Sequence, residues 1–591
     1  MTKQKKDVPT VVRAIMAEAS RQAEAATLDP RNPSSGGNYS APGRDTRKID
    51  MSVVKECARL DHSDTDNALR LMKHFGEDML VLAQSKARKA TYAIWDGTHW
   101  DIDTGDPRSL AVAQQLGDRI ALETEYLEYT PPEHEAVEAG KDALAKPEGE
   151  RTKLETKLAA AAANAMENLA KRKKRRMDHA VTSKNKGRLE AMLVCLAPHL
   201  MKKPDDFNTD VLRVALLEHT LTFKRTMQMV RNPAYDDPDD SRDDLPECIV
   251  QKEATVEAIP GHRREDLITQ IVPVSYDKDA SCPKWMAFLE KMMPKDDVRR
   301  LVQVASGLGL VGITVQKLFF HYGFGANGKS VYMETLCRLM GDLAVTLPSE
   351  SFIGEGNSGG SASPDMARLY GRRFLRVKEL PEGEDLRENL VKDLTGGEDF
   401  TVRDLFQGYF DFKPIFTGHM SGNGYPRITG TDNGIWRRMV VIHWPVVLKE
   451  SEQRELEEVV EEFRPEYPGI LNWLIEGVLI FLREGLVIPD SVKAKTQEYR
   501  DEMDPTSAFC ARCVVPDEQG EYTAKDFYQA YVDFTVDQGG KPISLTRFGT
   551  IMKKKYRCEA GRIVRYFGFR LTDLPAPAEK SGYDDFAGHL S

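Results

Sequence analysis

Eight consecutive residues carry the clearest chemical signal in the chain: Gly323-Phe324-Gly325-Ala326-Asn327-Gly328-Lys329-Ser330, of the form G-x-x-x-x-G-K-S. Glycines let a backbone wrap around phosphates with its N–H groups turned inward, and a helix starting behind the loop adds a favourable dipole. The spacing marks Gly323, Gly325, Asn327 and Gly328 as cradle positions. Lys329 is placed to reach β- and γ-phosphates, and the Ser330 hydroxyl to ligate Mg2+. A structural glycine turn is the plainer alternative. Every fixed position of the motif is present, however, between a strand-like KLFFHY and a helix-like VYMETLCRLM. The motif alone specifies a nucleotide phosphate; ATPases, GTPases and kinases share it. The base-reading N-K-x-D element of a G-protein does not follow it.

Three further residue types complete such a site. An apolar stretch, RFLRV, ends at Lys378-Glu379, and Glu379 there would polarise an attacking water and help organise Mg2+. A second strand signal, Phe410–Phe416, leads to Asn423, a polar side chain able to hydrogen-bond a water or the γ-phosphate. Arg437 and Arg438 stand just before the strand-like VVIHW, where an arginine can be offered to a neighbouring subunit's nucleotide. Taken singly, Glu379 reads as a surface acid and Asn423 as a turn residue before glycine. Their order behind the loop argues for function.

The elements that must hold these residues belong to a chain of 591 residues, long enough for several domains. Lys and Arg number 82 against 92 Asp and Glu, a formal net charge of -10, so a nucleic-acid site has to be a local basic feature. Eight cysteines are few; Cys510 and Cys513 alone have ligand spacing, no second pair follows, and unbridged thiols are expected. No apolar run reaches the about eighteen residues of a membrane span, and the N-terminus lacks a signal-peptide pattern, so a cytoplasmic protein without membrane partners is expected.

Patterning divides the chain into a flexible leader (1–50), a folded N-terminal region (51–132), a charged linker and long helix (133–183), a helical collar (184–305), a central α/β domain (306–485), a helix-plus-wing domain (505–575) and a tail (576–591). Within them, a helix is expected at Thr65–His74, strands at Met79–Ala83 and Ala90–Trp95, and a hairpin turn at Asp96-Gly97. Asp101 and Asp103 read as a solvated strand face. A long helix is expected from Thr152 to Met177, its end carrying Lys171–Arg176, KRKKRR, either as a solvated terminus or as a grip on nucleic-acid backbone. Trp285, Phe288, Leu289 and Met292 form an apolar stripe behind Pro283, more naturally core than contact surface.

The set GFGANGKS, RFLRVKE, VKDLTGGEDFTVR, FKPIF…GNGYP and GIWRRM resembles superfamily 3 helicases, and more narrowly the poxvirus-D5-like or phage/plasmid P4-type primase–helicase group. The WDGTHW hairpin and YDKDASCPKWMAFL resemble its helical N-terminal region, and the stretch beginning SAFCARC its winged-helix-like C-terminal part, so the resemblance covers roughly residues 60–575. It implies a multidomain α/β and α architecture around an AAA+ P-loop core, using ATP and Mg2+. It also implies a homo-oligomer, usually a hexameric ring, translocating 3′ to 5′ on single-stranded or forked DNA during phage, prophage or plasmid replication in a bacterial host cytoplasm, with a replication-initiation or primase partner.

Carried over residue by residue, the resemblance makes Lys329 and Ser330 the phosphate and Mg2+ residues, Glu379 the catalytic acid and Asn423 the sensor. Arg438 becomes the arginine finger, with Arg437 second. Lys392 falls in the motif before the DNA-contacting hairpin and Arg403 within that hairpin. Lys378 departs from the pattern where a second acid or small polar residue is usual, and Gly354–Pro364 is expected as a mobile loop. No primase active site is found. Two other functions use the same features: a DNA-dependent ATPase for origin remodelling, loading or packaging, and a non-catalytic origin-binding assembly protein.

Overall fold

The computed structural model describes residues 49–82, 90–232, 235, 246–354, 364–403, 409–430 and 433–572. The expected leader up to residue 48, most of the Gly354–Pro364 stretch and the expected tail lie outside the described residues.

Helices α1 (Met51–Cys57) and α2 (Asp64–Phe75) start where a short polar side chain accepts from the backbone, Asp50 from the Ser52 N–H and Ser63 from the Asp66 N–H. Strands β1 (Met79–Leu82), β2 (Thr91–Trp95) and β3 (Trp100–Asp101) follow, then α3 (Gly105–Leu122). The Asp96-Gly97 turn joins β2 to β3, with Trp95 opposite Trp100. Asp101 is not a solvated bystander: its carboxylate accepts from the Thr104 N–H at 2.9 Å and from Arg108 at 2.7 Å, anchoring the start of α3.

The charged segment 133–150 is not a linker. It forms most of α4 (Pro131–Ala145), which packs against α5 (Lys153–Thr182) as a helical hairpin. Pro131 and Pro132 open the helix, in its first turn where backbone N–H groups have no helical partner, and Glu133 accepts from the Thr130 N–H at 3.0 Å. The alanine run has a packing role: Ala159, Ala162 and Ala165 are buried, and a Cβ on Gly140 would lie 2.5 Å from the Ala162 Cβ. Small residues on both helices therefore permit their close approach. The six-cation run lies inside α5 and is divided by its faces. Arg176 is buried and donates to Glu123, Arg172 forks onto Glu133 at 2.8 and 2.6 Å, and Lys171 pairs with Glu167 at 2.7 Å. Helix α6 (Lys186–Leu196) and β4 (Met201–Lys202) complete this region, whose sheet runs β3-β2-β1-β4.

The expected helical collar is interrupted by a sheet of β5 (Arg213–Ala215), β6 (His219–Arg231) and β7 (Cys248–Pro260), in that order. Its base buries Leu221 and Phe223, while Met227, Met229 and Val250 are exposed further out. Helices α7 (Pro283–Met292) and α8 (Asp296–Gly307) follow. The stripe on α7 is core: Trp285 is fully buried among Tyr332, Phe463 and Trp473.

The central unit contains β8 (Leu318–Tyr322), α9 (Lys329–Met340), β9 (Ala344–Leu347), β10 (Phe374–Leu380), α10 (Glu388–Gly396), β11 (Phe400–Arg403), β12 (Tyr409–Phe412), β13 (Thr417–Gly422) and β14 (Met439–His443). Five strands form one parallel sheet, β14-β8-β13-β10-β9. Strands β11 and β12 pair as a separate antiparallel hairpin. The single strand expected at Phe410–Phe416 is thus two elements, the end of the hairpin and a sheet strand that begins at Thr417. Pro414, lacking an N–H, lies between them.

Helices α11 (Leu456–Phe463), α12 (Tyr467–Glu484) and α13 (Asp490–Glu502) flank the sheet. Thr496 of α13 accepts from the Val441 N–H at 3.0 Å, satisfying a donor on edge strand β14. The C-terminal unit comprises α14 (Ser507–Cys513), β15 (Val514–Thr523), α15 (Ala524–Asp537), α16 (Leu545–Lys555), β16 (Arg557–Glu559) and β17 (Arg565–Leu571), around Phe509, Phe527, Phe548 and Phe569. Strand β15 was not expected; its pairing with β17 is broken between Pro516 and Glu521, which obscures the pattern. Cys510 and Cys513 lie on α14, and no group of three or more metal-ligating side chains occurs among the described residues. No helix among them is long and apolar enough to cross a membrane.

Candidate functional site

Strand β8 is buried from Leu318 to His321, as a strand covered on both faces must be, and delivers the glycine loop at its C-terminal end. The loop needs left-handed backbone at Ala326 (φ +56°) and Gly328 (φ +80°). A side chain on Gly328 would also meet the Phe288 ring at 2.9 Å. Asn327 is buried and braces the loop: its Nδ2 donates to the Phe324 carbonyl, and its Oδ1 faces the Lys329 N–H at 3.4 Å. Its side chain thus serves the loop itself. Ser330, at the start of α9, is exposed.

The structure brings together Lys329, Asn423 and Glu379 from the C-terminal ends of three adjacent parallel strands, β8, β13 and β10. The Lys329 ammonium donates to Asn423 Oδ1 at 3.1 Å and to the Gly323 carbonyl, and Asn423 Nδ2 donates to Glu379 Oε1. This fixes the amide's orientation, because an ammonium can only donate and a carboxylate only accept. Lys329 is 5% exposed, and burial pulls its pKa down to about 8 against the opposing charge of Glu379.

Glu379 owes its direction to an irregularity in β10. The register with β13 shifts between Val377 and Leu380, so Lys378 and Glu379 are exposed in succession where regular pleating would turn one inward. Beneath the loop, the Trp444 indole donates to His321 Nδ1 at 3.0 Å, which leaves the His321 proton on Nε2, 3.1 Å from His419 Nδ1. Burial pushes His419 down to about 3, so this pair is neutral at physiological pH.

A cleft of about 630 Å³ opens on Gly325 to Val331, Glu379, Ser421 and Asn423. Its opposite wall is apolar: Phe288 and Met292 from α7, Leu448, and Val459 and Phe463 from α11. Sequence patterning marked the α7 stripe but gave no sign that its edge walls a cleft, since that depends on α11 folding back across it. The lysines and arginine at the rim are paired with acids: Lys284 with Glu462 at 3.1 Å, Lys291 with Glu452 at 2.9 Å, and Arg454 with Glu458 at 3.0 Å.

The remaining expected residues lie elsewhere. Lys392 is on α10, 3.9 Å from Glu388. Arg403 ends β11, paired in register with Tyr409. Arg437 and Arg438 precede β14, the strand beside β8, at the end of the strands opposite the loop. Arg438 is buried, donating to Thr395 Oγ1 at 2.9 Å and to the Gly434 carbonyl at 2.7 Å, whereas Arg437 is exposed. Of the two, the residue that the resemblance puts first, Arg438, is thus the one held inside its own chain, and the second, Arg437, the one at the surface.

A family model described as D5 N terminal like matches residues 68–294. Over 238 residues the chain is 29% identical to a candidate helicase of Acanthamoeba polyphaga mimivirus, covering 38% of this chain and 25% of that protein. Over 308 residues it is 26% identical to a candidate helicase of Frog virus 3 (isolate Goorha), covering 49% and 31% respectively. The chain thus matches between a quarter and a third of the length of these curated relatives. Among solved structures, the apo C-terminal region of NrS-1 matches with a TM-score of 0.33 and 15% identity, over 50% of this chain and 77% of that one. The chain carries a domain related to the D5 N-terminal-like family, and the matched segment runs from α2 through α7, the helix that walls the cleft.

Proposed function

We propose that the chain is an ATP-driven DNA helicase motor of the superfamily 3 AAA+ type, acting in replication as a ring. The observation that carries this reading is the Lys329–Asn423–Glu379 relay at the mouth of a P-loop cleft. The two relatives named as helicases support it. The donor set fits ATP with Mg2+: a desolvated ammonium needs an anion, an exposed hydroxyl at Ser330 and an exposed carboxylate at Glu379 suit a hard cation, and the apolar wall suits a base. Bound Mg2+ supplies charge neutralisation on the phosphates.

In this mechanism Lys329 and the first N–H groups of α9 hold the terminal phosphates. Glu379 accepts a hydrogen bond from the attacking water and takes its proton, with Asn423 holding the carboxylate in position. Arg437, the exposed member of the arginine pair, approaches the nucleotide of a neighbouring copy. The β11–β12 hairpin, with Arg403, and α10, with Lys392, meet the DNA backbone. A winged-helix-like role for the C-terminal unit in loading belongs to the same reading.

The test is strand separation on forked DNA of both polarities, with Lys329→Ala beside the wild type. ATP-dependent unwinding from the 3′-tailed fork, lost in Lys329→Ala, is expected. DNA-stimulated hydrolysis without strand separation would instead select the remodelling, loading or packaging reading. No ATP-dependent activity in the wild type, with DNA binding that is the same in Lys329→Ala, would leave the non-catalytic assembly role.

A further inference from the structure

Beside the P-loop cleft stands a cation with no partner of its own. Lys378 precedes Glu379 at the C-terminal end of β10, and both are exposed where the pairing with β13 shifts between Val377 and Leu380. An extra residue in a strand interrupts the alternation of its side chains, so two neighbours can leave the sheet on the same side. Arg376 shows which side this is, because it donates to Glu334 of α9. Lys378 is two positions further along the strand and continues the face of Arg376 towards the glycine loop.

Helix α9 fixes the level. It leaves the loop at the C-terminal end of β8 and runs back over a sheet in which β8, β13 and β10 are parallel. Moving towards the end of β10 therefore means moving towards the start of α9. Ser330, Glu334 and Arg338 are spaced four apart and share one face of that helix, and Arg338 donates to Glu334 at 2.9 Å. From Glu334 back to Ser330 is about 6 Å along the helix, and from Arg376 on to Lys378 about 7 Å along the strand. With Arg376 against Glu334, Lys378 stands level with Ser330, the residue assigned above to Mg2+ on the phosphates.

The other cations nearby are spent on acids. Arg376 is tied to Glu334, and Arg338 to Glu334, Glu457 and Glu461. Lys284, Lys291 and Arg454 line the cleft but are bound to Glu462, Glu452 and Glu458. The Lys378 ammonium has no ion pair or hydrogen bond among the described residues. ATP carries about four negative charges at neutral pH and ADP about three. Lys329 and one divalent cation together balance ADP and leave ATP one charge short.

We propose that Lys378 is a second phosphate-binding lysine of the same chain: from the β10 side its ammonium contacts the terminal phosphate, and it thereby distinguishes ATP from ADP. Its flexible four-carbon stem suits a contact made only when that phosphate is present. The inference rests on the ATP reading above and adds to it a cation at a position where the resemblance expects a second acid or a small polar residue.

The test uses full-length Lys378→Gln, Lys378→Arg and Lys378→Glu. Lys378 is exposed, so each variant should keep the wild-type Tm. By calorimetry with Mg2+ in dilute solution, Lys378→Gln should bind ATP about tenfold more weakly, the effect of one charge-assisted hydrogen bond, and should bind ADP as the wild type does. At assembling concentrations its turnover should fall by about ten- to a hundredfold. Lys378→Arg should recover most of both losses, and Lys378→Glu should fall below Lys378→Gln. Wild-type ATP affinity and turnover in Lys378→Gln would overturn the proposal. So would an equal loss of ADP affinity, a failure of Lys378→Arg to rescue, or wild-type turnover in Lys378→Glu, which would make the position part of the metal shell. Turnover that survives in Lys329→Ala refutes the ATP reading and this proposal with it, whereas turnover lost there but intact in Lys378→Gln refutes the role of Lys378 alone.

Discussion

Raising the pH should weaken ATP binding through Lys329. Burial lowers its pKa to about 8 in the free chain, and a bound triphosphate restores the preference for the ammonium. Binding is then linked to proton uptake above pH 8. About nine-tenths of the chains carry the charge at pH 7 and about one-tenth at pH 9, so affinity should fall roughly tenfold between them, about 1.4 kcal/mol. Calorimetric titration of ATP and Mg2+ from pH 7 to 9.5, in two buffers of different ionisation enthalpy, reads both the affinity and the protons taken up. Lys329→Arg, whose guanidinium stays charged throughout, should show neither the decline nor the uptake. Equal affinity at pH 7 and pH 9, or the same decline in Lys329→Arg, would refute the argument.

Glu379→Gln should bind ATP normally and lose turnover by at least about a hundredfold, as seen in single-turnover assays. Arg437→Ala should leave Tm unchanged and lower turnover by on the order of a thousandfold, whereas Arg438→Ala should lower stability by about 2–4 kcal/mol, because Thr395 and the Gly434 carbonyl lose a buried partner. Stability should fall as pH drops from 6.5 towards 4. Burial pushes His419 to about 3 and His74 to about 4, so in that window the unfolded chain takes up protons that the native chain refuses, up to about 1.4 kcal/mol per pH unit for each imidazole. A Tm that is flat across this range counts against the sign of that linkage. Arg403→Ala should weaken single-stranded DNA binding and reduce its salt slope by about one, with DNA-free ATP turnover unaffected; an unchanged salt slope would remove Arg403 from the backbone contacts.

The sequence made some of this legible because local chemistry decided it. The strand, glycine loop and helix of 318–340, the Asp96-Gly97 turn, the Thr152 start of α5 and the Trp285 stripe all depend on residues within a few positions of each other. The failures are equally physical. The charged 133–150 segment reads as a linker until Pro131 and Pro132 are seen to open a helix that packs on α5. The Lys171–Arg176 run reads as one patch until helical geometry sends Arg176 inward to Glu123 and Arg172 across to Glu133. Burial separates Arg438 from Arg437, and that burial depends on Thr395, which lies 43 positions away. The cleft wall was invisible because α11 folds back across the loop from outside the motifs.

Lys329 and Glu379 are connected in the cleft by a single side chain. Without nucleotide, the Lys329 ammonium is held by Asn423 Oδ1 and the Gly323 carbonyl, and the same Asn423 amide holds Glu379 through its other end. A phosphate reaching Lys329 competes for that ammonium, so it must loosen at least one of these contacts. Loosening at Asn423 would free the amide to turn, and Glu379, exposed by the shift in β10, would be free to follow it. On the ATP reading proposed above, arrival of a phosphate at Lys329 would therefore be transmitted to Glu379 through this single amide. The register shift in β10 is what makes this possible. A regular strand would have turned either Lys378 or Glu379 into the core, and an inward Glu379 would face buried apolar side chains in place of the cleft.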